Sequence, residues 1–215
     1  MRQIEILYED ELCVIVNKPA GLAVQGGRGV GVSLDGILTQ TRRQQRPLLV
    51  HRLDKDTSGV ILVAKTKKAA AVFSKLFNPS GPRFVIKKYL AACKGRPASA
   101  EGTITLDIDI HGNQKKSVTH FRLLENFGEG EFSLLELELG TGRMHQIRRH
   151  LAMTGNPVLG DDKYGDFRLN RKLRKELNLR RLLLHASRLI IPETPDTVYL
   201  DITAPLPEYF THLPL

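Results

Sequence analysis

An α+β fold with antiparallel sheet at its centre is what this sequence predicts, and two patterns carry the expectation. Ile104, Leu106, Ile108 and Ile110 alternate with polar residues, and strand-like runs at 118–124 and 132–139 flank the turn formers Asn126, Gly128 and Gly130, so successive strands double back. Stretches at 34–41, 67–78, 144–154 and 167–181 instead carry apolar residues at helical spacing.

Taken in order, the chain opens with IEILYED and LCVIVNKPAG, two short strands joined at Asp10 and Glu11, the second ending at the turn signal Lys18-Pro19-Ala20-Gly21. The glycine-rich stretch at 26–31 lacks the Lys-Ser/Thr ending and the strand-to-helix register of a phosphate loop. A mobile substrate-facing loop and a plain linker are the readings left. Ser33 is expected to cap a helix carrying Leu34, Ile37, Leu38 and Thr41 on one face. Arg42, Arg43 and Arg46 at its far end suit the helix dipole as well as they suit RNA. Apolar runs at 48–50 and 60–64 read as strands on either side of a polar loop. A helix follows at 67–78, with Ala71, Val72, Leu76 and Phe77 toward the sheet and Pro79 as its stop. FVIKKYLAACKG reads as a strand, in which Tyr89 would ordinarily be a half-buried packing residue. The segment at 144–154 reads as a helix with Ile147 and Leu151 buried, Arg148 aligned with Met144 and Ala152 on another face, and Gly155 ending it. LLLHASRLII and TVYLDIT are the closing strands.

A chain of 215 residues with 41% hydrophobic content can bury one good core, and a single domain over residues 1–215 is expected. The net charge of +9 favours a polyanionic partner, because cations that neutralise phosphates release condensed counterions. That charge is concentrated: FRLNRKLRKELNLRR, residues 167–181, holds seven Arg or Lys against Glu176 alone. Leu169, Leu173 and Leu177 recur every fourth residue, which makes an amphipathic helix with leucines inward. Arg171, Lys172 and Lys175 on its outer side are candidates for RNA-backbone contacts, the alternative being a solvated basic face. No apolar run approaches the roughly 20 residues that cross a bilayer, and no signal peptide opens the chain, so a cytoplasmic monomer with no membrane partner is expected. Cys13 and Cys93 are isolated in apolar runs and read as buried thiols. His145 and His150 are five residues apart, off a common helical face, so no metal is expected there.

The polar loop holds the densest chemistry. His51, Arg52, Asp54, Lys55, Asp56, Thr57 and Ser58 fall between two strands able to hold them rigidly. By composition DKDTSG is a turn. Arg52, however, lies two residues before Asp54, on the same side of an extended segment, where it would keep the carboxylate ionised. The run HRLDKDTSGV resembles the catalytic motif of the RluA-type pseudouridine synthases. The resemblance implies that Asp54 is the catalytic residue, that Arg52 takes the place of the flipped-out uridine in the RNA stack, and that His51 belongs to the substrate site. KKYLA resembles the family's K-x-Y-x-A and implies that Tyr89 lies against the target base. TGRMHQIRRH resembles TGRxHQIRxH and implies that Arg148 pairs with Asp54, while Met144-His145-Gln146 replaces the common THQ without moving the arginine's register. RLLLHASRL resembles the last core motif, in which an aliphatic residue, here Leu183, packs under the base. The implied fold is a mixed, mostly antiparallel bent sheet with flanking helices around a central cleft. Since NKPAG begins at Asn17, no separate N-terminal RNA-binding module is expected.

The residues suit that chemistry. Isomerising uridine exchanges a sugar-to-nitrogen bond for a sugar-to-carbon bond, without redox change, and the resemblance implies no cofactor. A glycoside hydrolase needs two separated carboxylates, and Asp56 is too close in sequence to Asp54 to serve dependably as the second. One ionised aspartate suffices if the departing uracil carries its own charge, with Asp54 acting on the sugar as nucleophile or as base. The expected partner is structured RNA, ribosomal or transfer, with a slight lean to ribosomal. A noncatalytic basic RNA-binding protein and a metal-dependent nuclease are the competing classes.

Overall fold

The computed structural model describes residues 3–27, 31–41, 47–78, 80–81, 83–110 and 112–210. They form two compact units, one from Met1–Lys87 and Ala186–Pro205, the other from Lys88–His185 and Leu206–Leu215.

In the first unit, β1 (Glu5–Glu9) and β2 (Cys13–Lys18) form the predicted antiparallel hairpin, whose turn is closed by the Asp10 carboxylate accepting from the Leu12 and Cys13 amides at 2.8 and 2.7 Å. β2 pairs in turn with β3 (Ser58–Ala64), from Cys13 opposite Ala64 to Lys18 opposite Gly59. Every residue of β3 is buried, which explains its unbroken apolar run after Gly59. The two-residue strand β4 (Leu48–Leu49) lies against the other edge of β3. α1 (Leu34–Thr41) buries Leu34, Ile37 and Leu38 as expected. Ser33 serves this helix through Asp35: its hydroxyl donates to the Asp35 carboxylate, which also accepts from the Gly26 and Gly36 amides. α2 (Lys67–Leu76) is capped by the Thr66 hydroxyl and buries Ala69, Phe73 and Leu76. Its inward face is thus rotated from the predicted Ala71, Val72, Leu76 and Phe77, because the i, i+4, i+7 stripe starts at Ala69. Arg42, Arg43, Arg46 and the centre of the glycine stretch, residues 28–30, lie outside the described residues.

The second unit is an antiparallel sheet with helices. β5 (Ile86–Lys94), β6 (Glu101–Ile110), β7 (Asn113–Phe127) and β8 (Phe132–Leu139) run in the spatial order β5-β8-β7-β6. β7 is longer than the predicted 118–124, because the β6–β7 ladder stays in register down to Ile110 opposite Asn113. α3 (Gln146–Met153) starts two residues later than predicted, since His145 is left-handed with φ 54°. α4 (Phe167–Leu177) is capped by the Asp166 carboxylate at one end and by left-handed Asn178 at the other. Its leucine stripe is shorter than predicted. Leu173 is buried and Leu169 packs on the core, but Leu177 is exposed, and Leu179 beyond the cap takes its place. These leucines join Ala92, Phe127, Phe132, Leu159, Leu183 and Phe210 in one apolar cluster.

β9 (Leu184–Ile191) and β10 (Leu200–Thr203) pair antiparallel, with the paired residues in the first unit. The fold is α+β with mostly antiparallel pairing, as predicted. Cys13 and Cys93 are free, buried thiols, and burial pushes Cys13 up to about 12. Among the described residues no helix is long and apolar enough to cross a membrane.

Candidate active site

Between β4 and β3 the chain carries the polar loop, and three anchors fix it. The first is His51. β4 stops at Leu49, and the next backbone N–H along β3, that of Leu62, donates to His51 Nε2 at 2.9 Å, so the imidazole continues the ladder where the strand gives out. Its ring stacks on Phe77 with centroids 4.1 Å apart. A nitrogen that accepts a backbone N–H carries no proton, and burial, with Lys87 nearby, lowers the His51 pKa to about 3. His51 therefore stays neutral at working pH.

The second anchor is Lys18, which in the sequence stands only as part of a turn signal. Its side chain is fully buried, and Nζ donates to the carbonyls of Pro19, Leu22 and Lys55 at 3.1, 2.8 and 3.0 Å. The Gly21 amide also donates to the Lys55 carbonyl, at 2.9 Å. The NKPAG turn is thereby clamped to the residue after Asp54. Burial lowers the Lys18 pKa to about 7, against the pull of Asp56 and Asp54. Three carbonyl acceptors call for three N–H donors, which only the ammonium has.

The third anchor is Gly59, with φ +112°, where a Cβ would fall 2.1 Å from the Ala186 carbonyl oxygen. No side chain fits, so the chain leaves the loop along a single path. Held in this way, the loop buries Leu53, leaves Arg52 exposed and keeps Asp54 partly buried. A groove of about 1120 Å³ runs along its flank, lined by Asp35, Gln40, His51, Arg52, Lys65 and Lys67 among others.

The second unit holds the other polar cluster. Arg148 projects from α3 and is 4% exposed. Its Nε and Nη2 donate to the two oxygens of Asp161 at 2.7 and 2.8 Å, and Nη2 also reaches Asp162 at 3.3 Å. Burial raises the Asp161 pKa, but the Arg148 bonds and the Tyr164 and Lys163 amides outweigh it and hold the carboxyl below its ordinary value. The guanidinium also lies over the Tyr164 ring, 5.4 Å from its centroid, and the Tyr164 hydroxyl is 3.0 Å from His145 Nδ1. Gln146 pins the start of α3. Its amide nitrogen donates to the Val118 carbonyl and the Thr119 hydroxyl, while its oxygen accepts from the Thr141 hydroxyl and the Arg143 amide. Asp161 was missed in the sequence because LGDDKYGD reads as a turn, with nothing to say which aspartate points inward.

The other predicted site residues lie as follows. Tyr89 is in β5, opposite Leu137 and 7% exposed. Leu183 is fully enclosed in the core with Phe127, Phe132 and Phe210. Arg171, Lys172 and Lys175 are exposed on α4. His51, Arg52 and Asp54 share the first unit's loop, whereas Tyr89, Arg148, Leu183 and the α4 cations belong to the second unit. Among the described residues no group of three or more His, Cys, Asp or Glu is placed to hold a metal ion.

The family described as RNA pseudouridylate synthase matches residues 12–153, which takes in the polar loop, Tyr89 and α3. Over 96% of its length the chain is 37% identical to the ribosomal large subunit pseudouridine synthase C of Rickettsia prowazekii (strain Madrid E), covering 69% of that protein. Its identity to the protein of the same name from Vibrio parahaemolyticus serotype O3:K6 (strain RIMD 2210633) is 36%, over 94% of this chain and 65% of the relative. Among solved structures, human RNA pseudouridylate synthase domain containing 4 superposes with a TM-score of 0.79 at 29% identity, over 97% of this chain and 90% of that one. With the family match over most of the chain, this identity and this shared fold, the chain belongs to the RluA-type RNA pseudouridine synthases, and it is an isomerase of that family.

Proposed function

We propose that this enzyme isomerises a uridine of large-subunit ribosomal RNA, with Asp54 as the catalytic carboxylate. The observation that carries the reading is the loop itself: an aspartate presented between a neutral histidine built into the sheet and a buried lysine clamp, within the segment that matches the family. The relatives named above are ribosomal large subunit enzymes, which supports that RNA as the substrate. In the reaction, the bond from ribose C1′ to uracil N1 breaks, the base turns, C1′ bonds to C5, and the C5 proton is lost as N1 gains one. Asp54 acts on the sugar as nucleophile or as base, and the uracil carries the displaced charge. No redox partner enters this balance. Arg148 is the cationic partner of Asp54 in this reading. Its bonds to Asp161 and Asp162 fix the guanidinium within the second unit. Tyr89 lies against the target base, and Arg52 fills the gap the base leaves.

α4 is the RNA-backbone contact. Arg168, Arg171 and Lys175 fall on one stripe opposite Leu173, about 4.5 and 6 Å apart along the axis, with Lys172 and Arg174 beside them. None of the five is ion-paired with another described residue, so their field is directed outward. The test of the substrate is pseudouridine mapping in total RNA from cells with and without the gene. Loss of a mark in large-subunit ribosomal RNA is the expected result. Loss confined to transfer RNA would reassign the substrate, and an unchanged map would overturn the assignment.

A further inference from the structure

One side chain joins α4 to the Arg148 cluster. Asn170, a turn into α4 and pointing inward, accepts from the Gly160 amide at 2.9 Å through Oδ1 and donates to the Asp161 carbonyl at 2.8 Å through Nδ2. Asp161 in turn holds Arg148 at two points. From helix to guanidinium the chain of contacts is thus two residues long. The joint is also tight. A Cβ at Gly165 would fall 2.3 Å from the Asp161 carbonyl oxygen and 2.7 Å from Asn170 Nδ2, and one at Gly160 would fall 2.0 Å from the Arg181 carbonyl oxygen. Asparagine is a poor helix former, and alanine or leucine would serve α4 better at this position. Its amide instead satisfies one donor and one acceptor of a loop that forms no strand, the loop that sets Asp161.

We propose that Asn170 is a positioning residue through which seating of α4 on RNA phosphates sets the Asp161 carboxylate and, through it, the Arg148 guanidinium. This rests on the assignment above of Arg148 to the site and of α4 to the RNA backbone. Seating of the helix then speeds turnover as well as tightening binding, because Asp161 and Arg148 move with the Asn170 amide. RNA long enough to reach α4 reacts faster at saturation than a short stem-loop carrying the same uridine.

The experiment measures single-turnover tritium release at saturating RNA, from a large-subunit ribosomal RNA transcript labelled at uracil C5 and from the short stem-loop around its modified uridine. In wild type the transcript is expected to react about tenfold faster, a ratio corresponding to one net hydrogen bond. Asn170→Ala should bring the transcript down to the stem-loop rate while changing the stem-loop rate and the transcript's Kd by less than about twofold. Asn170→Asp, which keeps the acceptor for Gly160 and removes the donor to Asp161, should lose the same ratio and serves if the alanine variant folds poorly. A merely structural asparagine would slow both RNAs alike, and that result, or a transcript advantage surviving in both variants, overturns the coupling alone. Absence of release from either RNA by wild type overturns the coupling together with the substrate assignment beneath it.

Discussion

The Asp54 loop and the Arg148 cluster are held by opposite means. The loop is fixed through backbone groups: His51 takes a ladder N–H, Lys18 gathers three carbonyls, and Gly59 leaves room only for backbone. The cluster is fixed by one side chain upon another, Asn170 to the Asp161 backbone, the Asp161 carboxylate to Arg148, and Arg148 over Tyr164. A backbone-fixed loop does not depend on the identity of its exposed residues, so Arg52 and Asp54 are free to be chosen for chemistry. A side-chain network passes a displacement from one link to the next.

The largest effect on folding is expected from breaking the network at its most buried link. Asp161→Ala leaves Arg148 buried without its forked partner, a loss of about 3 to 5 kcal/mol that lowers the thermal midpoint by roughly 10 °C. The same pair gives a pH signature. Asp161 has a folded pKa below its unfolded value near 4, so its contribution is present above about pH 4 and is lost as pH falls through the folded pKa. Melting curves between pH 3 and 7, compared for wild type and Asp161→Asn, check the sign: the difference between them should shrink toward low pH.

Next is the loop clamp. Lys18→Met strands three carbonyls, two of them across the turn and one on the loop, at about 1 to 3 kcal/mol each if no water enters. Activity should fall further than RNA affinity. Because the three-proton form of Lys18 makes the clamp and its pKa lies at about 7, wild-type turnover should decline as pH rises through that value. A flat alkaline profile would remove Lys18 from the setting of the loop. His51→Phe keeps the stack on Phe77 but loses the Leu62 bond, and a loss of about 1 kcal/mol in stability is expected, read by denaturant midpoint. The smallest effect per residue belongs to α4. Each of Arg168→Gln, Arg171→Gln and Lys175→Gln should weaken binding to all RNAs and reduce the salt slope by about one unit or less. An unchanged slope would make α4 a solvated face.

Much of this was legible in the sequence. Alternation at 104–110 and the apolar run after Gly59 place strands where they are found, because a strand's burial shows directly in its residue types. The face of α2 and the end of α4 differ from those the sequence predicts, since helical stripes at 69, 73, 76 and at 71, 72, 76, 77 differ only in which side the sheet covers. Leu177 fits the leucine repeat, yet the left-handed cap at Asn178 turns the chain so that Leu179 enters the core in its place. Within the site, dense motifs mark the loop and α3, but Lys18, Asp161 and Asn170 make their contacts with irregular backbone or with residues far along the chain. Lys18 looked like half of a Lys-Pro turn, and Asn170 like one more polar residue in a basic helix. No spacing rule signals either.

Asp54, held by these anchors, is the residue proposed to perform the isomerisation. The direct measurement is tritium release from large-subunit ribosomal RNA labelled at uracil C5, under single-turnover conditions, by wild type and by Asp54→Asn with its fold checked by thermal melting. Release by wild type is expected, with a loss of at least about a thousandfold in the variant and RNA affinity little changed. Release by Asp54→Asn at a rate close to wild type would contradict it.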